Sequence, residues 1–153
     1  MSNATDTEND IVNAFVDALE TLAFISLAPS EDCSAPIEAI LSTIDFAGES
    51  LRGRLCLIAS ESFGWYLAGN VLGTDPGDQE ARDRGSDSLR ELMNVACGTF
   101  CSKQKLAGKI ELSLPHSITL DIPALWASAL AKPGTHVFDA DGHTIAFWME
   151  ELA

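Results

Sequence analysis

The hydrophobic and polar positions along this chain predict three helices. Apolar residues recur every three or four positions in 8–22 and 60–72, and again in a long segment that ends before Gly108. This spacing is typical of amphipathic helices. A capping pattern that begins at Thr7 places the start of the first helix. Gly73 ends the second, because glycine readily adopts the left-handed backbone that follows many helix C-termini.

Strands are predicted where apolar residues alternate with polar ones or form short runs rich in β-branched residues. The alternation is clearest at Ile110, Leu112 and Leu114, which indicates a half-buried strand. The turn residues 139–142 predict a final hairpin, whereas 124–130 fits either a helical turn or a loop. The segments predicted as strands are 37–46, 51–59, 110–114, 118–122, 136–138 and 144–149.

This order of elements predicts an α+β domain. Consecutive strands of the antiparallel type, with helices at the start and in the middle, favour an antiparallel sheet with helices on one face. A chain of 153 residues is long enough to bury a sizeable core and has the usual length of one domain. We therefore expect a flexible N-terminus over 1–9 and a single domain over 10–153.

The chain is strongly acidic, with a formal net charge of −14 and only 9 Lys and Arg residues. Nucleic-acid binding depends on Lys and Arg that neutralise phosphates, and anionic membranes attract the same residues. The composition therefore argues against nucleic acid and membrane as partners, and it suits proteins with basic patches. No apolar run approaches the roughly 20 residues that span a bilayer. No secretory signal is visible either, so a cytoplasmic location is expected.

One face of the long third helix carries the most informative side chains. An α-helix turns about 100° per residue, so spacings of four and three return to nearly the same face. Asp87, Glu91 and Asn94 follow these spacings, and Gly98 one turn later leaves a gap that another molecule can approach. An ordinary solvent-exposed face has the same spacing, so the pattern alone leaves both interpretations open. The residues predicted on the opposite, core-facing side are Leu89, Leu92, Met93, Ala96 and Phe100.

Other kinds of site find little support in the sequence. Cys97 and Cys101 are one turn apart, but a zinc site needs two further ligands, and the histidines show no matching spacing. Small, semi-buried helix residues are the better interpretation of this pair. A Ser-His-Asp hydrolase is disfavoured because no Gly-x-Ser-x-Gly motif occurs. The absence of Gly-rich phosphate loops argues against an ATPase or kinase.

The pattern Asp87-x3-Glu91-x2-Asn94, with Gly98 four residues later, resembles the signature helix of the CheC/CheX/FliY phosphatases of bacterial chemotaxis. The first helix and the first predicted hairpin also resemble the corresponding elements of CheX, and the resemblance is best over about 11–114. It implies a CheX-like α+β fold. It also implies a homodimer, because two chains of that family associate through their sheets.

The resemblance further implies an enzyme, a phosphatase that acts on the aspartyl phosphate of a CheY-like response-regulator receiver domain. Asn94 then orients the attacking water, and Glu91 docks on a lysine of the receiver. An amide suits the first role, because its carbonyl accepts a hydrogen bond from water and its uncharged group does not repel phosphate. Asp87 makes a peripheral contact or helps the helix to start, and Gly98 lies against the partner. No metal is expected in this chain, since Mg²⁺ belongs to the receiver.

Two questions remain open after this comparison: how many sites each chain carries, and whether the site is catalytic. CheC carries two such motifs, whereas the first helix here offers only Asp10-x2-Asn13, so one site per chain is expected, as in CheX. The main alternative is a non-catalytic receiver-binding or scaffold module of the same fold. The presence of both Glu91 and Asn94 argues against it, because binding alone does not require the amide.

Overall fold

The computed structural model describes residues 4–30, 34–106, 108–118 and 122–152, which contain four helices and seven strands. The helices are α1 (Ala4–Ala23), α2 (Glu61–Leu72), α3 (Gln79–Lys103) and α4 (Ile122–Ala131). The strands are β1 (Leu27–Pro29), β2 (Ala39–Ala47), β3 (Arg52–Ser60), β4 (Glu111–Leu112), β5 (His116–Ile118), β6 (His136–Ala140) and β7 (His143–Glu151). None of the described helices is long and apolar enough to cross a membrane.

The strands form one antiparallel sheet, as predicted. Its order is β1-β6-β7-β3-β2, and β4 and β5 both pair with β2 at the far edge. The hairpin of β2 and β3 is paired along its whole length, from Ala39 opposite Ser60 to Ala47 opposite Arg52. Because β3 also pairs with β7, the most strongly paired strands lie in the middle of the sheet.

Helices cover both faces of this sheet. Successive residues of a strand point to opposite faces. Leu55 and Leu57 of β3 therefore belong to the core beneath α1, α2 and α3, while Cys56 and Ile58 pack with Trp126 of α4. The α+β class is confirmed, but the expectation of helices on one face holds only for α1–α3. The apolar segment that forms α4 lacks a clear period, which is why its sequence did not reveal a helix.

The ends of α2 follow their sequence signals. The backbone N–H of Phe63 donates a hydrogen bond of 3.0 Å to Oγ of Ser60, which satisfies one free donor at the helix N-terminus. Gly73 ends the helix with a φ of 73°, as predicted. The turn between β6 and β7 also follows its sequence signal. Asp141 and Gly142 have φ values of 49° and 94°, and two residues of positive φ fit a tight hairpin turn.

The N-terminal helix begins earlier than its capping pattern predicts. α1 starts at Ala4, so residues 4–9, which were expected to be a flexible N-terminus, are helical, whereas 1–3 lie outside the described residues. Farther along α1, Oδ2 of Asp10 accepts a hydrogen bond of 2.7 Å from Nε2 of Gln104, which ties α1 to the end of α3. Residues 4–9 are mostly polar, so they show no apolar period from which this extension could be predicted.

Two strand predictions differ from the structure. The half-buried strand over 110–114 was wrong, because β4 contains only Glu111–Leu112 and Leu114 beyond it is 80% exposed. Its alternation belongs to an exposed edge of the sheet. The reverse error concerns β1 (Leu27–Pro29), which pairs with β6 but is too short to show a period. The segment 118–122 lies mostly outside the described residues.

Candidate functional site

The apolar side of α3 holds this helix on the sheet. The ring of Phe100 packs edge-on against that of Phe46 in β2, with ring centroids 5.5 Å apart. This packing directs the opposite side of α3 to solvent. All residues that the sequence placed on the core side are fully buried, namely Leu89, Leu92, Met93, Ala96 and Phe100.

A close crossing with α2 restrains the N-terminal half of α3. A Cβ atom added at Gly85 would lie 2.9 Å from Cδ1 of Trp65, and one added at Gly64 would lie 3.3 Å from the backbone oxygen of Gly85. Two glycines therefore let the helices meet. At the same crossing the guanidinium of Arg82 lies 4.5 Å from the centre of the Trp65 ring. Contacts with both the sheet and α2 make α3 a well-supported base for its exposed side chains.

The residues predicted to carry the chemistry lie together on the exposed face of α3. Asp87, Glu91, Asn94 and Gly98 are all exposed. Within the part of the chain that the structure describes, neither Glu91 nor Asn94 has a hydrogen-bond or ion-pair partner. A carboxylate and an amide are thus available on neighbouring turns for contact with another molecule.

Asp87 differs from Glu91 because it is engaged within the helix. The guanidinium of Arg90 forms an ion pair with its carboxylate, three residues apart. Since α3 begins at Gln79, Asp87 stands two turns inside the helix and does not help it to start. Sequence reasoning missed Arg90, although this spacing is one at which side chains on a helix meet.

Gly98 faces open space. A Cβ atom added there would meet no atom within 4 Å, so packing among the described residues does not require glycine. Glycine inside a helix costs about 0.5–1 kcal/mol relative to alanine. The gap next to Asn94 therefore lies on the outside of the protein, where the sequence predicted it.

A cleft of about 1100 Å³ lies away from these residues. Residues of the N-terminal part of α1 and of the segment at the C-terminal end of α3 contribute to its lining. Asp10, Lys105 and Glu151 contribute to its lining, but Glu91 and Asn94 do not. The candidate site is an exposed helix face, which suits contact with a macromolecule better than enclosure of a small substrate.

The cysteines of α3 lie on its buried side. A hydrogen bond with Cys101, together with burial, raises the pKa of the Cys97 thiol. Cys97 and Cys101 both belong to the buried core, and buried structural cysteines are unreactive, so these residues act as small core side chains. Among the described residues, no group of three or more His, Cys, Asp or Glu side chains is arranged to hold a metal ion.

The histidines stand at strand ends. His116, His136 and His143 are the first residues of β5, β6 and β7. The ring of His143 packs beside that of Tyr66, with centroids 5.1 Å apart. Burial lowers the pKa of His136, which keeps that side chain neutral near pH 7. None of the three belongs to α3.

A family of known proteins matches the part of the chain that contains this helix. The sequence model described as "Chemotaxis phosphatase CheX" matches residues 40–126, which is more than half of the chain. This chain belongs to the CheX family. The matched region includes the whole exposed face of α3 from Asp87 to Gly98. No curated protein sequence matches the chain significantly.

Solved structures of CheX and FliY proteins share the fold of this CheX-family protein. A chain of the CheX–CheY–BeF₃–Mg²⁺ complex from Borrelia burgdorferi has a TM-score of 0.66 and 15% identity, covering 95% of this chain and 97% of that one. For CheX of Vibrio vulnificus the values are 0.63 and 17%, covering 97% and 100%. FliY of Thermotoga maritima gives 0.58 and 13%, covering 96% and 90%. These similarities confirm the predicted CheX-like fold.

Proposed function

We propose that this CheX-family protein is a phosphatase that removes the phosphoryl group from the aspartyl phosphate of a CheY-like receiver domain. The observation that carries the proposal is the free pair of Glu91 and Asn94 on the exposed face of α3. Side chains that a rigid helix presents without internal partners are suited to enter a site on another protein. The family's description as a chemotaxis phosphatase and the presence of CheY in the Borrelia complex support this partner.

Asn94 is assigned the orientation of the attacking water. Phosphoryl transfer leaves a protein little covalent work, so the position of the water relative to the breaking bond dominates the rate. The amide oxygen of Asn94 accepts a hydrogen bond from water and holds it opposite the aspartate oxygen that leaves. The water oxygen bonds to phosphorus as the bond from phosphorus to the carboxylate breaks, which yields inorganic phosphate and a free aspartate.

Glu91 is assigned the docking of α3 on a lysine of the receiver. It lies about 4.5 Å along the helix axis from Asn94. A carboxylate near a phosphoryl group is repelled unless a cation lies between them, and a lysine supplies that cation. The Mg²⁺ that balances the phosphoryl charge is assigned to the receiver's own site. Receivers of this kind work in the cytoplasm, so the proposal places this protein there as well.

The direct test is the decay of a receiver labelled by acetyl phosphate, measured as released phosphate with and without this protein. We expect the protein to accelerate release catalytically, at concentrations well below that of the receiver. Binding without faster release would support the non-catalytic scaffold instead. Failure of several CheY-like receivers both to bind and to lose phosphate would contradict the whole assignment.

We infer that two chains form a homodimer through the sheet edge at β4 and β5. Leu112, Leu114 and Ile118 along this edge are 39%, 80% and 49% exposed. An exposed apolar edge strand is a ready site for pairing with another chain. The opposite edge strand β1 ends in Pro29, which cannot donate a backbone hydrogen bond. Sedimentation of the wild type and Leu114→Lys tests this, and an unchanged dimer in the variant would exclude this edge.

A further inference from the structure

The C-terminal ends of α1 and α2 meet at one end of the molecule. The side-chain amide of Asn70 in α2 donates a hydrogen bond of 3.0 Å to the backbone oxygen of Ala23, the last residue of α1. The residues that follow each of them are therefore neighbours. Phe24 is 85% exposed, Val71 is 49% exposed and Leu72 is 39% exposed. We call these three residues the helix-end patch.

Phe24 adopts a backbone conformation that bulky residues avoid. Its φ is 55°, in the left-handed region where glycine usually ends a helix. Its backbone N–H donates a hydrogen bond of 3.1 Å to the oxygen of Glu20, so this conformation is part of the end of α1. The exposed ring gains little from packing within the chain. A residue whose strain is not offset by its own packing points to a contact outside the chain.

Acidic residues flank the helix-end patch. Glu20 lies one turn before Phe24 on α1, and Asp75 follows the end of α2 by three residues. Neither 20–27 nor 66–78 contains a Lys or Arg residue. The two segments that carry the patch therefore contribute acidic side chains and no basic ones.

A third carboxylate is held in place beside the same helix ends. Asp141, in the turn between β6 and β7, accepts a hydrogen bond of 2.8 Å from the hydroxyl of Tyr66 in α2. The backbone N–H of Ser26, two residues after Phe24, lies 3.4 Å from its other oxygen. Both contacts hold the carboxylate of Asp141 in a fixed position beside the helix-end patch.

We propose that the helix-end patch binds an amphipathic helical segment of another protein, with an apolar face flanked by Lys or Arg. Such a segment matches an apolar centre with an acidic border, because an amphipathic helix binds through regularly spaced apolar anchors. None of the three patch residues belongs to α3, the helix that carries Glu91 and Asn94. The binding surface is therefore separate from Glu91 and Asn94 and does not depend on the proposed phosphatase activity.

The test uses fluorescence anisotropy with two synthetic peptides of equal length and charge. One carries Leu on one helix face and Lys on the other, and in the second every Leu is replaced by Ser. We expect the wild type to bind the Leu–Lys peptide roughly tenfold more tightly, because buried apolar anchors dominate such contacts. Phe24→Gly should abolish most of this difference. It should not lower the melting temperature, because glycine adopts the left-handed conformation freely.

Matched variants distinguish specific binding at the helix-end patch from nonspecific electrostatic binding of a basic peptide to an acidic protein. Ile37 is 84% exposed near the other end of α2, so Ile37→Ser removes a similar side chain and should leave the peptide affinities unchanged. Val71→Ser should lower the affinity for the Leu–Lys peptide, as Phe24→Gly does. Equal affinity of the wild type for both peptides, or of the wild type and Phe24→Gly for the Leu–Lys peptide, would overturn the proposal. A dimer that Phe24→Gly converts to monomers would assign the patch to a second copy and overturn it too.

Discussion

Arg90 holds the carboxylate of Asp87 on the exposed face of α3, and this ion pair divides the acidic residues of that face into two kinds. The charge of Asp87 is partly balanced inside the chain, whereas Glu91 has no partner in the described structure. Glu91 is therefore the carboxylate available to a lysine of another protein. For the same reason Asp87→Ala should change receiver dephosphorylation less than Glu91→Ala does.

Reversing the charge of Glu91 should weaken the complex with the receiver. Glu91→Lys places two cations together, so it should reduce the rate of dephosphorylation more than Glu91→Ala, and added salt should narrow the gap between the two variants. Glu151→Lys at the exposed end of β7 makes the same change in net charge away from α3. Phosphate release from the receiver, measured by stopped flow for both variants, checks this. Equal losses of dephosphorylation rate in Glu91→Lys and Glu151→Lys would show that Glu91 acts only through the net charge of the protein.

Removing the amide of Asn94 should stop catalysis without unfolding the protein. Loss of one preorganised polar group at a reaction site typically lowers the rate on the order of 10²–10³-fold. The side chain is exposed and has no hydrogen-bond partner among the described residues, so Asn94→Ala should keep the circular dichroism spectrum and melting temperature of the wild type. Ser102→Ala, on the same exposed face, is the control and should remain active. An Asn94→Ala variant within a few-fold of the wild-type rate would remove this residue from the mechanism.

Gly98→Ala should separate stability from activity. The new methyl group meets no atom of the described chain, and alanine favours the helix over glycine by about 0.5–1 kcal/mol. The melting temperature should therefore rise. Receiver dephosphorylation should fall if the partner approaches α3 at Gly98 as proposed, because the methyl group then occupies that space. Thermal melts and phosphate release on the same sample test both halves. A variant that is both more stable and fully active would show that the partner does not approach at Gly98.

The proposed mechanism requires a preference for the phosphorylated receiver. A protein discriminates between two states of a partner only through contacts that differ between them, and Asn94 is assigned its contacts at the phosphoryl group. Beryllofluoride with Mg²⁺ supplies a stable mimic, so affinity for this form should exceed that for the unmodified receiver. EDTA or Asn94→Ala should abolish the preference. Calorimetric titrations that give equal affinities in all these conditions would favour the scaffold.

Local signals in the sequence predict the parts of the fold that depend on single residues. Ser60 and Gly73 mark the ends of α2 because a side-chain acceptor and a left-handed glycine are needed there in any context. The exposed face of α3 is equally predictable, since its helical period distinguishes Glu91 and Asn94 from the core side. These features follow from rules that act within one or two turns.

Features that depend on distant parts of the chain were not predictable. The alternation around Leu114 suggested a half-buried strand, but Leu114 lies between the short strands β4 and β5 and is 80% exposed. Trp126 is buried only because α4 packs on the second face of the sheet, which no local pattern requires. The engagement of Asp87 by Arg90 depends on a choice of side-chain conformation that spacing alone does not fix.

The placement of Glu91 and Asn94 on an exposed helix face divides the proposed chemistry between two molecules. The phosphoryl group, the leaving carboxylate and the metal come with the receiver, while the water-orienting amide comes with this protein. Neither molecule alone holds a complete reaction centre. Turnover then requires formation of the complex, and substrate specificity depends on how well the receiver surface fits the surface around α3.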